Sequence, residues 1–204
     1  KTEKRQLLKR DQARLARKRK FMEKVRALNG ARSPLACIRT LGCQQNVSDS
    51  EKIGGMLAEM GYSFTGDMPG ADLVIYNTCA VRDHAERRAL GNVNALKPYK
   101  AQKPSMLIAM CGCMMQEEGA AERVKRLAPH VDMVFGTGAL RRFPEILWEA
   151  MTRRGRVVDT APQDFIAEGL PLRRGAGVKG WLPVSYGCNN FCTYCIVPYV
   201  RGRE

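Results

Sequence analysis

The chain has 204 residues, 45% of them apolar, and a net charge of +14, which is enough for one full domain and part of another. No apolar run reaches the roughly 18 residues of a bilayer-spanning helix, and the first twenty residues lack the apolar stretch of a secretory signal. A cytoplasmic, reducing setting is therefore expected, with no membrane partner, and there eight cysteines read as ligands or free thiols rather than disulfides.

Residues 1–33 read as a basic helical arm. Positions 1–32 hold 13 Lys and Arg against three acids, or +10 of the +14. The apolar seam of Leu8, Leu15, Met22 and Val25 is too thin to demand core packing. The arm is either a solvated helix or an electrostatic arm for a phosphate backbone, and charge alone does not separate nucleic acid from an acidic membrane surface.

From Pro34 to residue 150 strands and helices alternate. LACIRTLG (35–42) reads as a strand. SDSEKIGGMLAEMG (48–61) reads as a helix, with Ser48 and Glu51 at capping-box spacing and Gly61 as its C′ residue. YSFTG (62–66) is a short strand and ADLVIYNTC (71–79) a longer one, followed by a helix over 80–97. PSMLIAMCGC (104–113) and VDMVFGTG (131–138) are strands, followed by helices over 114–128 and 139–151. This alternation predicts an α/β fold, a parallel sheet with helices on both faces. Residues 151–180, rich in Gly, Pro and Arg, read as a linker with a strand at 156–159. GWLPVSYGC (180–188) reads as the first strand of a second domain over 181–204.

Cys43, Cys79 and Cys113 each follow a predicted parallel strand. The C-terminal ends of such strands share one edge of the sheet, where ligand sites form. Three loops on that edge can gather three thiolates, and the nearby helix N-termini would favour the thiolate form. Cys37 lies within a strand and reads as a buried apolar residue. Cys111 lies two residues before Cys113, so in an extended chain the two share a face. It is a neighbour of the site or an alternative ligand. Cys113 is preferred because Gly112-Cys113 repeats Gly42-Cys43. The bland alternative is three unrelated core thiols. Asn77 and Thr78 read as turn and cap residues, the alternative being support of the Cys79 sulfur, and Arg82, Arg87 and Arg88 as a solvated helix face, the alternative being contact with substrate phosphate. His84 and His130 read as surface or core residues.

GCNNFCTYC (187–195) adds Cys188, Cys192 and Cys195 in a C-x3-C-x2-C spacing. Structural zinc usually closes on four protein ligands. Two groups of three thiolates better suit iron–sulfur cubes in which one iron stays open.

The aromatic Tyr194 before the last cysteine makes this stretch resemble the radical S-adenosylmethionine motif. TLGCQQNVSDSEKI, NTCAVRDHAE and GCMMQEE resemble the three cysteine loops of the methylthiotransferase N-terminal domain, and GCNNFCTYCIVPYVRGRE resembles the radical motif of that same family. The resemblance covers about residues 35–150 and 181–204. It implies two 4Fe-4S clusters, an auxiliary one on Cys43, Cys79 and Cys113 and a radical one on Cys188, Cys192 and Cys195. S-adenosyl-L-methionine would bind at the open iron, with Tyr194 lining its site and Arg201 and Arg203 close by.

It further implies a transferase acting on a tRNA substrate, placing a methylthio group at C2 of N6-isopentenyladenosine 37. The enzyme would be a cytoplasmic monomer served by a flavodoxin-like or ferredoxin-like electron donor. An unactivated C–H bond requires radical chemistry, which the cofactors carry. The family continues into an α/β barrel and a small β domain, so 181–204 would be a truncated start, inactive alone. Rival readings are the sister enzymes acting on threonylcarbamoyladenosine in tRNA or on a ribosomal-protein aspartate, and a non-catalytic metal-binding module that docks on RNA.

Overall fold

The computed structural model describes residues 2–81, 83–153, 155–161, 169–175 and 180–204, with backbone alone for 2–12 and 83–85. Arg82 falls outside these residues and the side chain of His84 is not among those described. In chain order the elements are α1 (Thr2–Asn29), β1 (Leu35–Leu41), α2 (Gln44–Glu59), β2 (Ser63–Phe64), β3 (Leu73–Thr78), α3 (Asp83–Asn94) and α4 (Lys97–Gln102). There follow β4 (Leu107–Gly112), a 3-10 turn (Cys113–Gln116), α5 (Ala120–Leu127), β5 (Met133–Phe135), a second 3-10 turn (Thr137–Arg142), α6 (Phe143–Thr152), β6 (Val157–Asp159) and α7 (Val197–Arg201).

The six strands form one sheet in the order β2-β1-β3-β4-β5-β6, and every described pairing is parallel. The expected α/β architecture is present. All six residues of β3 are buried, as a central strand covered on both faces requires. Successive side chains leave the pleat on opposite sides. Leu73 and Ile75 therefore join one core with Ile53, Met56 and Leu57 of α2 and Phe143, Ile146 and Leu147 of α6. Val74 and Tyr76 join the other, with Ala89 and Val93 of α3 and Ala120 and Val124 of α5.

Several local expectations change. Helix α2 starts at Gln44, one turn before Ser48, because Cys43 is its N-cap and the backbone N–H of Cys43 donates to Asn46 Oδ1 at 3.3 Å. Ser48 lies inside the helix, buried. The C-terminus behaves as predicted. Gly61 takes φ +88, its N–H donates to Ala58 O at 3.1 Å, and Tyr62 N–H donates to Leu57 O at 3.0 Å, the paired bonds of a Schellman motif. The predicted 114–128 helix is broken, because Gly119 at φ +72 separates the 3-10 turn from α5. Pro98, at the start of α4, and Pro144, at the start of α6, sit where a missing N–H costs nothing.

The sheet continues past residue 150, since β6 pairs with β5. Part of the connector also packs down. Leu170 is buried in the core and Arg173 N–H donates to Glu51 O at 2.9 Å. The backbone of Pro171 lies where a Cβ on Gly55 would be. The predicted strand over GWLPVSYGC does not form. Among the described residues no strand lies beside it, and an extended segment without a partner leaves its backbone groups to turns and solvent.

The second half of α1 is not a free arm. Met22 and Val25 are buried in the core with α2 and α6, and Asn29 Nδ2 donates to Met60 O at 2.9 Å. Phe21 packs on Trp148 with ring centroids 5.5 Å apart. Burying an apolar side chain is worth ~1.5–3 kcal/mol, so two such side chains suffice to dock this part of the helix despite its charge.

Candidate metal centre

Strands β1, β3 and β4 are neighbours in the sheet, and Leu41 pairs with Thr78 while Thr78 pairs with Gly112. Their C-terminal ends therefore lie level on one edge. Cys43, Cys79 and Cys113 are the second, first and first residues past those ends. The three predicted loops come together as the topology requires.

A buried polar lattice knits the loops. Asn46, in the first turn of α2, is fully buried. Its Nδ2 donates to Asn77 Oδ1 at 2.9 Å and Thr78 O at 3.2 Å, and approaches Cys113 Sγ at 3.9 Å. The Cys43 thiol donates to Asn46 Oδ1 at 3.4 Å. One amide thus touches the sulfurs of the first and third loops. Asn77 Nδ2 donates back to Asn46 O at 2.8 Å and Ser50 Oγ at 3.0 Å, and Thr78 Oγ1 donates to Cys111 O at 2.7 Å. Asn77 and Thr78 are therefore strand residues that tie adjacent loops, not the helix cap expected. Buried amides and hydroxyls must find partners, and here the partners are each other.

Two glycines permit this closeness. A Cβ on Gly42 would land on the Asn46 side chain, and one on Gly112 would land on Asn77 Oδ1 and Thr78 O. Gly112 also takes φ +99, a conformation open essentially to glycine. This turn separates Cys111 from Cys113, so the same-face rule for an extended pair does not apply. Cys111 is buried in the core shared with α2 and α6, and burial pushes its thiol well up. Cys37 is buried on the opposite face of the sheet, its thiol also raised by burial. Cys111 is thus a buried neighbour of the site, close enough to feel the charges of Asp49, Cys113 and Arg201, whereas Cys37 lies away from it.

The C-terminal segment covers this edge. Helix α7 packs on both 3-10 turns, and Thr137 Oγ1 donates to Val200 O at 2.7 Å. Arg201 reaches into the cysteine loops. Its Nε–H donates to Cys113 Sγ at 3.1 Å and its Nη1 to Asp49 Oδ2 at 2.7 Å. Both charged side chains are only 6% exposed. Burial works against the Arg201 charge, but Asp49 and Cys113 hold its pKa above the ordinary value. Burial raises the Cys113 thiol, and the Arg201 guanidinium pulls it back. Desolvation thus outweighs the expected favouring of thiolate at Cys113. Sequence reasoning missed Asn46 and Asp49. The C-x-x-N spacing of Cys43 and Asn46 is the signal that could have found the first.

The second cysteine loop is pinned at its base. Cys188 N–H donates to Gly202 O at 3.2 Å and Cys195 N–H to Cys192 O at 2.9 Å, while Gly187 lies against the carbonyls of Gly202 and Arg203. Cys192 is exposed, and Cys188 and Cys195 are partly so. Tyr194 is 95% exposed. Arg87, Arg88 and Arg203 are exposed. His130 is spent on Val93 O at 2.8 Å.

Among the described residues, no three His, Cys, Asp or Glu side chains converge tightly enough to hold one metal ion. An iron–sulfur cube spreads its thiolates over a wider triangle. The donor set, three cysteines on neighbouring loops, fits that group. So does Arg201 Nη2, a buried cationic donor that has no hydrogen-bond partner among the described residues and lies beside Cys113, where an anionic cluster would sit.

An all-parallel sheet with helices on both faces and cysteine loops on three adjacent strand ends, covered by α7 of the C-terminal segment, defines a doubly wound α/β domain. Residues 36–136 match the family described as "Uncharacterized protein family UPF0004", and through them the chain belongs to that family. It is similar to the tRNA-2-methylthio-N(6)-dimethylallyladenosine synthase of Acetivibrio thermocellus, with 51% identity over 197 residues, 93% of this chain and 41% of the relative. The enzyme of the same name from Thermoanaerobacter sp. is 46% identical over 191 residues, 93% of this chain and 41% of the relative. That from Alkaliphilus oremlandii is 47% identical over 185 residues, 90% and 39% respectively. The chain thus spans about two fifths of the length of these curated relatives.

Proposed function

We propose that this chain belongs to a tRNA methylthiotransferase that adds a methylthio group at C2 of N6-isopentenyladenosine 37 in tRNA. The relatives' printed activity supports the reading. The observation that carries it is the alignment of Cys43, Cys79 and Cys113 on three neighbouring strand ends, bridged by Asn46 and covered by Arg201.

In this reading Cys43, Cys79 and Cys113 hold an auxiliary 4Fe-4S cluster, and Cys188, Cys192 and Cys195 a second. When bound with S-adenosyl-L-methionine, these groups supply the one-electron chemistry and the sulfur that replace an unactivated C–H bond. The protein's own residues position and shield. Asn46 fixes the first loop against the third. The Arg201–Asp49 pair holds the second cysteine segment on the first, keeps water from Cys113 and places positive charge beside a thiolate ligand. Tyr194 would line the S-adenosylmethionine site. The remaining proposals are a tRNA partner, a flavodoxin-like or ferredoxin-like donor, a monomeric state and a cytoplasmic setting. Among the described residues no helix is long and apolar enough to cross a membrane.

Nucleoside analysis of tRNA from a strain lacking the gene tests the reaction. Loss of the methylthio group from isopentenyladenosine, restored by the whole gene, is the expected result. Loss from threonylcarbamoyladenosine instead would transfer the reading to the sister enzyme, and no change in any tRNA nucleoside would end it.

A further inference from the structure

Arg201 carries a charge from the C-terminal segment onto a cysteine of the sheet edge. Its Nε–H donates to Cys113 Sγ at 3.1 Å, and its Nη1 donates to Asp49 Oδ2 at 2.7 Å. The side chain is 6% exposed, so water screens it little. Nε and Nη2 share one edge of the rigid, planar guanidinium. Nη2 is buried and has no hydrogen-bond partner among the described residues. A buried charged donor is costly to leave unmade, and this one lies beside the sulfur that Nε already holds. It is the kind of donor that an anionic group at Cys113 satisfies.

The backbone around Arg201 is held from both sides. Val200 O accepts from Thr137 of the sheet domain at 2.7 Å, and Gly202 O accepts from Cys188 N–H of the second cysteine loop at 3.2 Å. Asp49 anchors the fork and opposes its charge, but it meets a different nitrogen from the one that touches sulfur.

We propose that Arg201 is a positioning residue for the redox chemistry of the sheet edge: through Cys113 it raises the reduction potential of the cluster on Cys43, Cys79 and Cys113. The assignment rests on the proposed function, which places a 4Fe-4S cluster on these cysteines. A ferredoxin-like or flavodoxin-like donor gives up one electron, and that electron adds negative charge to a group already ligated by three thiolates. A buried cation with N–H donors at a ligand sulfur stabilises the added charge. Net charge, hydrogen bonds to sulfur and solvent exposure are what set cluster potentials. The charge is in place only while the C-terminal segment is docked, so docking and reduction each favour the other.

The test is a redox titration of the reconstituted 204-residue chain, read from the EPR signal of the reduced cluster. A Cys188→Ala background leaves the sheet-edge cluster as the signal and keeps the backbone bond to Gly202 O. Arg201→Met should lower the reduced-to-oxidised ratio at fixed potential by about tenfold, or 59 mV for a one-electron couple. Arg201→Lys keeps the charge without the fork and should recover part of that shift. Asp49→Asn should shift the potential upward, because it removes an opposing negative charge. A purely structural role gives another pattern. Arg201→Met and Asp49→Asn break the same ion pair, so if the pair only holds the cover, both variants move the potential in one direction as water reaches the site. That result overturns the proposal, and so does an unshifted potential in a loaded Arg201→Met chain. If Arg201→Met does not load, the opposite shifts are read from Arg201→Lys and Asp49→Asn. A chain that takes up no iron on Cys43, Cys79 and Cys113 overturns the proposal together with the two-cluster reading. Shifted potentials, in a protein whose gene deletion leaves every methylthio nucleoside intact, uphold the role of Arg201 and overturn only the proposed reaction. Unshifted potentials, with the methylthio group lost from isopentenyladenosine, overturn only the role of Arg201.

Discussion

Replacing Arg201 with Met removes the guanidinium that joins the two cysteine segments, at nearly constant side-chain length. Asp49 then stays buried without its 2.7 Å partner, with Lys52 Nζ 3.9 Å away. Breaking a buried pair by deleting one member costs about 3–5 kcal/mol, and both side chains here are 6% exposed, so solvent screening discounts little of it. The cost should fall on the docking of 188–204 rather than on the sheet, because the cores contain none of the α7 side chains. At 1.4 kcal/mol per tenfold, the undocked population should rise roughly a hundredfold to a thousandfold or more. Cys113 is 5% exposed under this cover. In the metal-free chain its alkylation rate should therefore rise, and amide exchange over 188–201 should accelerate, while exchange in β3 and β4 holds. Arg201→Lys should fall between, since an ammonium keeps the charge but not the fork. If Arg201→Met leaves both Cys113 alkylation and 188–201 exchange at wild-type rates, the salt bridge does not hold the cover, and the reasoning fails.

Gly112→Ala should destabilise the chain by roughly 2–4 kcal/mol, the sum of a glycine-only backbone and a clash with Asn77 and Thr78, read as a lower urea midpoint at constant slope. Anaerobic reconstitution should give roughly eight irons per chain, and roughly four after Cys43→Ala or Cys188→Ala, by iron assay and visible absorbance. Zinc with no colour would contradict the two-cluster reading. The Glu145 carboxyl is opposed by burial but held below its ordinary 4.5 by hydrogen bonds and charge from Arg17 and Arg142. Its stabilisation is therefore fully present above that value and lost as pH falls through the depressed one. Glu145→Gln should accordingly destabilise at neutral pH and converge on wild type in strong acid, as measured by urea unfolding at several pH values. The 204-residue chain alone should not methylthiolate tRNA, and product from the purified chain would contradict that.

Period and punctuation in the sequence were enough for the parallel sheet. Apolar runs such as LVIYNT end at loops, amphipathic stretches follow, and physics allows few arrangements of that alternation. The cysteine edge was equally legible, because β-then-α repeats force successive loops to one side of a parallel sheet. What the sequence left open depended on partners distant along the chain. GWLPVSYGC looks like a strand by composition, but a strand exists only beside another. Helix α1 looks like a free arm by charge, but Met22 and Val25 find α6 more than a hundred residues away. Helix α2 starts at Gln44, capped by Cys43, because Asn46 is committed to Asn77 and Thr78 across the sheet. Arg201 on Cys113, the contact that joins the two cysteine groups, spans 88 residues. Local sequence determines which residues offer thiols, amides and charges. Only long-range burial and hydrogen bonding decide which of them meet, because those energies depend on neighbours that the chain brings near by folding.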